Sequence, residues 1–165
     1  MPSDSFSLRF AQPTLSTACP PLGWREWVAL PTFGIAAIKA KLDTGARSSS
    51  LHVESLEAFR EDGVQFVRFL VRPRRRGTRL VACQARVVDR RPVTDSGGHR
   101  SERWFVEAEV ALAGLRFATA INLTDRRAML FPLLLGRSAL HGRFSVDAAL
   151  SYTSPRPPRA GTVPT

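Results

Sequence analysis

The stretch Ala40-Lys41-Leu42-Asp43-Thr44-Gly45-Ala46 holds the residue types in this chain best placed to do chemistry. An apolar-alternating strand runs into Asp-Thr-Gly-Ala, which puts a carboxylate on a tight turn at a strand end. Gly45 lets the backbone fold closely beneath that carboxylate, where a side chain would block it. The Thr44 hydroxyl can hydrogen-bond neighbouring backbone and fix the turn. An ordinary Asx turn has the same composition, and Asp-Thr-Gly arises by chance in roughly a few per cent of chains this long. A second feature adds context: Phe131-Pro132-Leu133-Leu134-Leu135-Gly136-Arg137 is an apolar strand closed by glycine, with a short helix expected from Arg137 to Leu140.

Other catalytic patterns are missing from the sequence. His52, His99 and His141 share no ligand-like spacing, and there is no His-Glu-x-x-His. Neither a Gly-Lys-Ser/Thr phosphate loop nor a Gly-x-Ser-x-Gly nucleophile elbow occurs. The expectation is no metal and no cofactor.

The elements that must position Asp43 follow a period of two. Val106, Ala108, Val110 and Leu112 alternate with Phe105, Glu107, Glu109 and Ala111, and Val67, Phe69 and Val71 alternate in the same way. Further strands are expected over 24–30, 35–42, 80–88, 117–123 and 144–148. Turn signals at 31–34, 61–63, 76–77, 95–98 and 113–114 separate them. Many short strands at this spacing predict an all-β barrel or sandwich of antiparallel strands with one short C-terminal helix. The chain has 165 residues, which fits one domain. We expect a flexible leader over 1–22, a packed domain over 23–152, and a Pro-rich tail over 153–165.

Lys plus Arg number 24 against 14 Asp plus Glu, a formal charge of +10. A surface of that sign favours an anionic partner. Two cysteines cannot build a disulfide framework, no signal-like leader is visible, and no apolar run reaches the length of a membrane span. A reduced, cytoplasmic setting away from membranes is expected.

Asp43-Thr44-Gly45-Ala46 early in an all-β chain, with Leu134-Leu135-Gly136-Arg137 about ninety residues later, resembles the retropepsin family of aspartic peptidases. Gly23-Trp24-Arg25-Glu26, Ala37 to Arg47, Leu51-His52, Arg126 to Arg137 and Phe144-Ser145-Val146-Asp147 are similar to its bacterial RimB-like branch. That branch was once labelled an ATP-dependent zinc protease, and is associated with RimK-type ATP-grasp glutamate ligases. The resemblance implies a homodimer with one Asp43 from each copy. Peptide hydrolysis by water needs a base to take a proton and an acid to polarise the carbonyl. Two carboxylates about 3 Å apart share one proton and supply both. It also implies that Thr44 braces the two turns, that Gly45 lines the cleft, and that Gly136 and Arg137 support the turn.

One departure stands out. Viral retropepsins usually carry an acid four residues after the catalytic Asp, paired with the Arg after the apolar-Gly strand. Here that position is Arg47, so Arg137 needs another partner, with Asp147 a candidate. Arg47, beside Ala46, either faces the cleft and holds a substrate carboxylate bidentately, or is a solvated turn residue or an ion-pair partner. The segment 90–103, with Gly97-Gly98 at its tip and Arg91 and Arg103 on its arms, is the expected flap or substrate-binding loop; a solvated charged loop is the other reading. The resulting expectation is a peptidase acting on acidic, glutamate-rich peptide tails, linked to a glutamate ligase. A basic nucleic-acid-binding β-domain is the rival, motivated by the Arg72–Arg79 run and disfavoured because the aromatics, at 8%, are few and scattered.

Overall fold

Strands occupy the alternating segments. The computed structural model describes residues 19–125, 127–128 and 130–157. The leader through residue 18, the tail from 158, and Arg126 and Met129 lie outside the described residues.

The strands are β1 (Pro21–Gly23), β2 (Arg25–Leu30), β3 (Ile35–Leu42), β4 (Ser49–His52), β5 (Ser55–Glu61), β6 (Val64–Val71), β7 (Val81–Thr94), β8 (Arg100–Leu112), β9 (Leu115–Thr124), β10 (Leu133–Leu135) and β11 (Ser145–Asp147). One helical turn, α1 (Arg137–Leu140), follows β10. Nine strands form a sheet in the order β2-β3-β10-β4-β9-β8-β7-β6-β5, and a further β2–β8 pairing curls it into a ring. The all-β expectation holds. Val28, Ile38, Leu51, Val67, Val106, Val110, Ile121, Leu133 and Leu135 are fully buried inside that ring. At about 25 cal/mol per Å² of apolar surface removed from water, their burial is the main force closing it.

The centre of the sheet is unusual for an antiparallel fold. β10 runs parallel to β3, with Leu135 opposite Leu42, and antiparallel to β4. β4 in turn runs parallel to β9. The apolar strand 133–135 is therefore threaded between β3, which ends at Asp43, and β4, which begins just after it. All three β10 residues are buried, so it cannot sit at an edge.

Two elements exceed their expected bounds. β7 and β8 run on past Val88 and before Phe105 as a paired ladder, from Asp89 opposite Phe105 to Thr94 opposite Arg100. Segment 90–103 is thus two hairpin arms, with a loop only over 95–99. Among the described residues the first strand begins at Pro21, where β1 pairs in parallel with β11. Hydrogen-bonded structure continues past Tyr152, where Thr153 and Ser154 donate to the buried Glu26 carboxylate. β4 and β5 had no strand signal: β4 is Ser-Ser-Leu-His, and β5 is a mostly exposed, charged edge strand.

Candidate active site

Asp43 sits where β3 ends, its amide donating to Leu135 O of β10 at 2.9 Å. The turn closes with Ala46 N donating to Asp43 O at 3.2 Å, and Asp43 Oδ1 accepts from Gly45 N at 3.0 Å. That is an Asx turn built around the carboxylate. Gly45 packs closely under the carboxylate: a Cβ there would stand 3.2 Å from Asp43 Oδ1, a tight contact that only a small shift of that side chain would relieve. Thr44 and Gly45 are exposed, so the turn points out of the fold.

The second glycine strand holds this turn from below. Arg137 N donates to Ala46 O at 2.8 Å, and Ser138 N to Arg47 O at 3.0 Å. Gly136 N donates to the buried Ser49 hydroxyl at 3.1 Å. Gly136 is extended, so its need for glycine is close approach and not backbone conformation. The Arg137 guanidinium donates from Nη1 to both Thr44 O and Gly45 O at 3.1 Å. No ion pair of Arg137 with Asp147, the candidate partner, or with another acid is seen among the described residues; Asp147 Oδ1 accepts from Ala149 N. With arginine at 47, Arg137 satisfies itself on the carbonyls of the Asp-Thr-Gly turn.

A cleft of about 640 Å³ opens over the turn. Asp43, Gly45, Ala46 and Arg47 line one side, and Arg91 to Ser96 of the β7 arm line the other. Arg103, from the β8 arm, and Ser50 and Leu134 complete it. The hairpin therefore faces Asp43, as a flap would. Gly97 and Gly98 are at its tip and do not line the cleft; Gly98 takes a positive φ of 82°, and Asp95 Oδ1 caps the loop by accepting from Gly97 N and His99 N.

Charge in the cleft is lopsided. Lys41, Arg47, Arg91 and Arg103 face two carboxylates, Asp43 and Asp95. Lys41 Nζ lies 3.3 Å from Asp43 Oδ2. Arg91 bridges to Asp89 at 3.1 Å and stacks over Phe105 at 4.2 Å. Arg103 is only 6% exposed, its guanidinium donating to Asn122 Oδ1 at 3.0 Å and to Ser101 Oγ at 3.2 Å. Asn122 also accepts from Ser50 Oγ and donates to Ser49 O at 2.7 Å. This buried polar network fixes a guanidinium on the cleft wall. Among the described residues no side-chain bond or ion pair of Arg47 is seen, and its side chain is exposed at the cleft.

Lys41, Ser50 and Asn122 were not anticipated as site residues. Asn122 could have been found, because it is the one uncharged amide in the apolar run Ile121-Asn122-Leu123. Lys41 and Ser50 carry no such signal. No group of three or more His, Cys, Asp or Glu that could hold a metal ion occurs among the described residues.

A closed all-β ring, a strand threaded beside an Asp-Thr-Gly turn, and a hairpin across the cleft define the retropepsin-like class of aspartic peptidase folds. A family model described as "Retropepsin-like aspartic endopeptidase RimB" matches residues 21–157, and the chain belongs to this RimB-like family. Among solved structures it is similar to Lpg0085 of Legionella pneumophila, a protein of unknown function, with a TM-score of 0.69 and 30% identity over 84% of this chain and 98% of that one. Among curated proteins it is 34% identical over 132 residues to a "Probable alpha-L-glutamate ligase" of Shewanella pealeana, and 38% identical over 130 residues to one of Desulfotalea psychrophila. Those matches cover 79% and 78% of this chain but 29% and 28% of the ligases, so the chain spans under a third of the length of these relatives. No helix among the described residues is long and apolar enough to cross a membrane.

Proposed function

We propose that the chain is an aspartic peptidase that works in the cytoplasm as a homodimer and hydrolyses peptide bonds in acidic, glutamate-rich tails. The observation that carries this is the Asp43-Thr44-Gly45 turn, braced by Arg137 and exposed at the edge of a basic cleft under a hairpin. One chain holds one such turn, so a second copy supplies the second carboxylate. The pair holds one proton: the ionised Asp43 takes a proton from the attacking water, and the protonated one donates to the scissile carbonyl. Thr44, exposed beside Asp43, braces one turn against the other across the dimer axis. The flap arms exclude water as they close.

The acidic substrate is supported by the four cleft cations and by the region of glutamate ligases that resembles this chain. Arg47, Arg91 and Arg103 receive side-chain carboxylates of the substrate, while Asp43 acts on the backbone. A functional link to an ATP-grasp glutamate ligase follows: the ligase extends a tail and this chain shortens it.

The test compares wild type and Asp43→Asn on matched peptides with and without a glutamate extension, with mass by light scattering. The expected result is cleavage of the extended peptide only, abolished by Asp43→Asn, from a species of twice the chain mass. Equal turnover by Asp43→Asn removes Asp43 from the reaction; preference for neutral peptides sinks the substrate assignment alone.

A further inference from the structure

A second groove, of about 530 Å³, lies at the other end of the strands that lead to the catalytic turn. The cleft takes Lys41 and Asp43 from the end of β3 and Arg91 to Thr94 from the end of β7; this groove takes Ile35 to Ala37 and Val81 from their beginnings. Arg74, Arg79 and Arg156 line it, and no carboxylate does. None of the three is in an ion pair among the described residues, and all are exposed, so their charge is uncompensated locally.

The groove is built, not incidental. Arg72 pins the 72–79 turn by donating from Nε to Glu54 Oε1 at 3.0 Å and from Nη1 to Gly77 O at 2.6 Å. Gly77 N closes it on Arg74 O at 2.8 Å. Arg156 is held over the Trp27 ring at 4.6 Å. The floor is formed by the small residues Ala36 and Ala37, with no aromatic lining on which bases could stack. An extended chain bearing carboxylates fits this lining better than a single-stranded nucleic acid.

We propose that this groove is a second, non-catalytic anchor for the acidic polypeptide whose cleavage the previous section assigns to Asp43. The inference rests on that reading for its substrate. From Ile35 to Asp43 is eight strand residues, on the order of 26 Å at about 3.3 Å each. An acidic tail must therefore have roughly eight residues before it reaches both sites, and longer tails gain affinity because the second contact is intramolecular. The groove thus acts as a length gauge: long tails are held and short stubs released.

The test is binding to the full chain carrying Asp43→Asn, read by fluorescence anisotropy with labelled oligoglutamates of four and twelve residues. The twelve-residue peptide is expected to bind at least about tenfold more tightly than the four-residue one. Arg74→Ser with Arg79→Ser shrinks that ratio to the few-fold expected from charge alone, and Arg74→Lys with Arg79→Lys restores most of it. A length ratio unchanged by the serine variant overturns the proposal. So does a uridine oligonucleotide of twelve residues that displaces the peptide at lower concentration, which assigns the groove to RNA. Failure of the peptidase reading looks different: arginine-dependent, length-dependent binding persists while the Asp43 protein cleaves nothing.

Discussion

Gly136→Ala tests whether the threaded strand holds the Asp43-Thr44-Gly45 turn by backbone contact. A Cβ at 136 would lie 2.6 Å from Ser48 O, 2.7 Å from Ser48 C and 2.9 Å from Ala46 O. Ordinary contact begins at 3.4 Å, so the backbones must separate by about 0.8 Å. All three atoms are main chain, so no side-chain rotation relieves the overlap. Gly136 has φ −93° and ψ −176°, a conformation alanine adopts freely, so the effect is steric alone. Overpacking of this kind costs about 1–3 kcal/mol. Separation also stretches the bonds from Arg137 N to Ala46 O and Ser138 N to Arg47 O, each contributing about 0.5–1.5 kcal/mol. We expect a loss of roughly 3 kcal/mol, which for a chain of this size lowers Tm by about 6–12 °C. Ala46 belongs to the turn that closes on Asp43 O, so under the proposed peptidase reading turnover falls more than the folded fraction does. Thermal unfolding with turnover measured at a temperature where the variant stays folded checks both. A Tm within 2 °C of wild type would refute the close-contact argument, and normal turnover in a destabilised variant would separate the strand from the site.

Three further outcomes follow from the packing. Glu26 is fully buried, its Oε1 accepting from Gly23 N, Thr153 N and Thr153 Oγ1 and its Oε2 from Ser154 N; Glu26→Gln sets an amide N–H against donors and should cost about 2–4 kcal/mol in urea unfolding, whereas a loss under 1 kcal/mol would mean the segment after Tyr152 contributes little. Burial pushes the Cys83 thiol up to about 11, so at pH 8 only on the order of one molecule in a thousand is thiolate; iodoacetamide should spare Cys83 in the native protein and label it after denaturation. The hydrogen bond and charge of Arg72, helped by His52, hold the Glu54 carboxyl below its usual 4.5. That stabilisation is present above the unfolded-state value and is lost as pH falls through the folded one. Urea midpoints between pH 6 and pH 3 should therefore fall less steeply in Glu54→Gln.

What was legible in the sequence was whatever a local period or a short motif encodes. The segment 35–42 is a strand, and the alternation of 106–112 puts Val106, Ala108, Val110 and Leu112 on the core, although Phe105 in the opposite phase is buried as well. Asp43-Thr44-Gly45 and Gly136-Arg137 were legible as a pair because close backbone approach demands glycine at 136 and a carboxylate turn demands small residues after it. β4 was not legible: Ser49 and Ser50 look like loop residues, and they are buried only because Asn122 and Gly136, some 70 to 90 residues away, bond to them. The arms of the flap read as a loop because Pro92 and four arginines interrupt the period, yet the ladder to β8 and stacking of Arg90 on Trp104 and Arg91 on Phe105 keep them extended. The place of Arg103 in that segment is legible; its burial against Asn122 is not, because no local pattern links the two.

Position 47 ties the scaffold to the choice of substrate. An acid there would serve as the ion partner of Arg137 and add a negative charge beside Asp43. Arginine there leaves Arg137 to donate to Thr44 O and Gly45 O, so the brace on the turn survives without a carboxylate. The cleft meanwhile gains a cation where a relative of the viral type carries an anion. Main-chain acceptors hold Arg137 without an acid at 47, and the Arg47 guanidinium stands exposed at the cleft. Its attraction for a carboxylate is screened over about 10 Å at 0.1 M salt. Arg103, anchored and almost fully buried, is screened far less. Substrate recognition should therefore divide into a salt-sensitive part at Arg47 and a salt-resistant part at Arg103. Arg47→Asp should remove the first, and weaken binding of acidic peptide most at low ionic strength. If Arg47→Asp and wild type bind such a peptide equally at 50 mM salt, the side chain faces solvent and the cleft's preference lies with the hairpin alone.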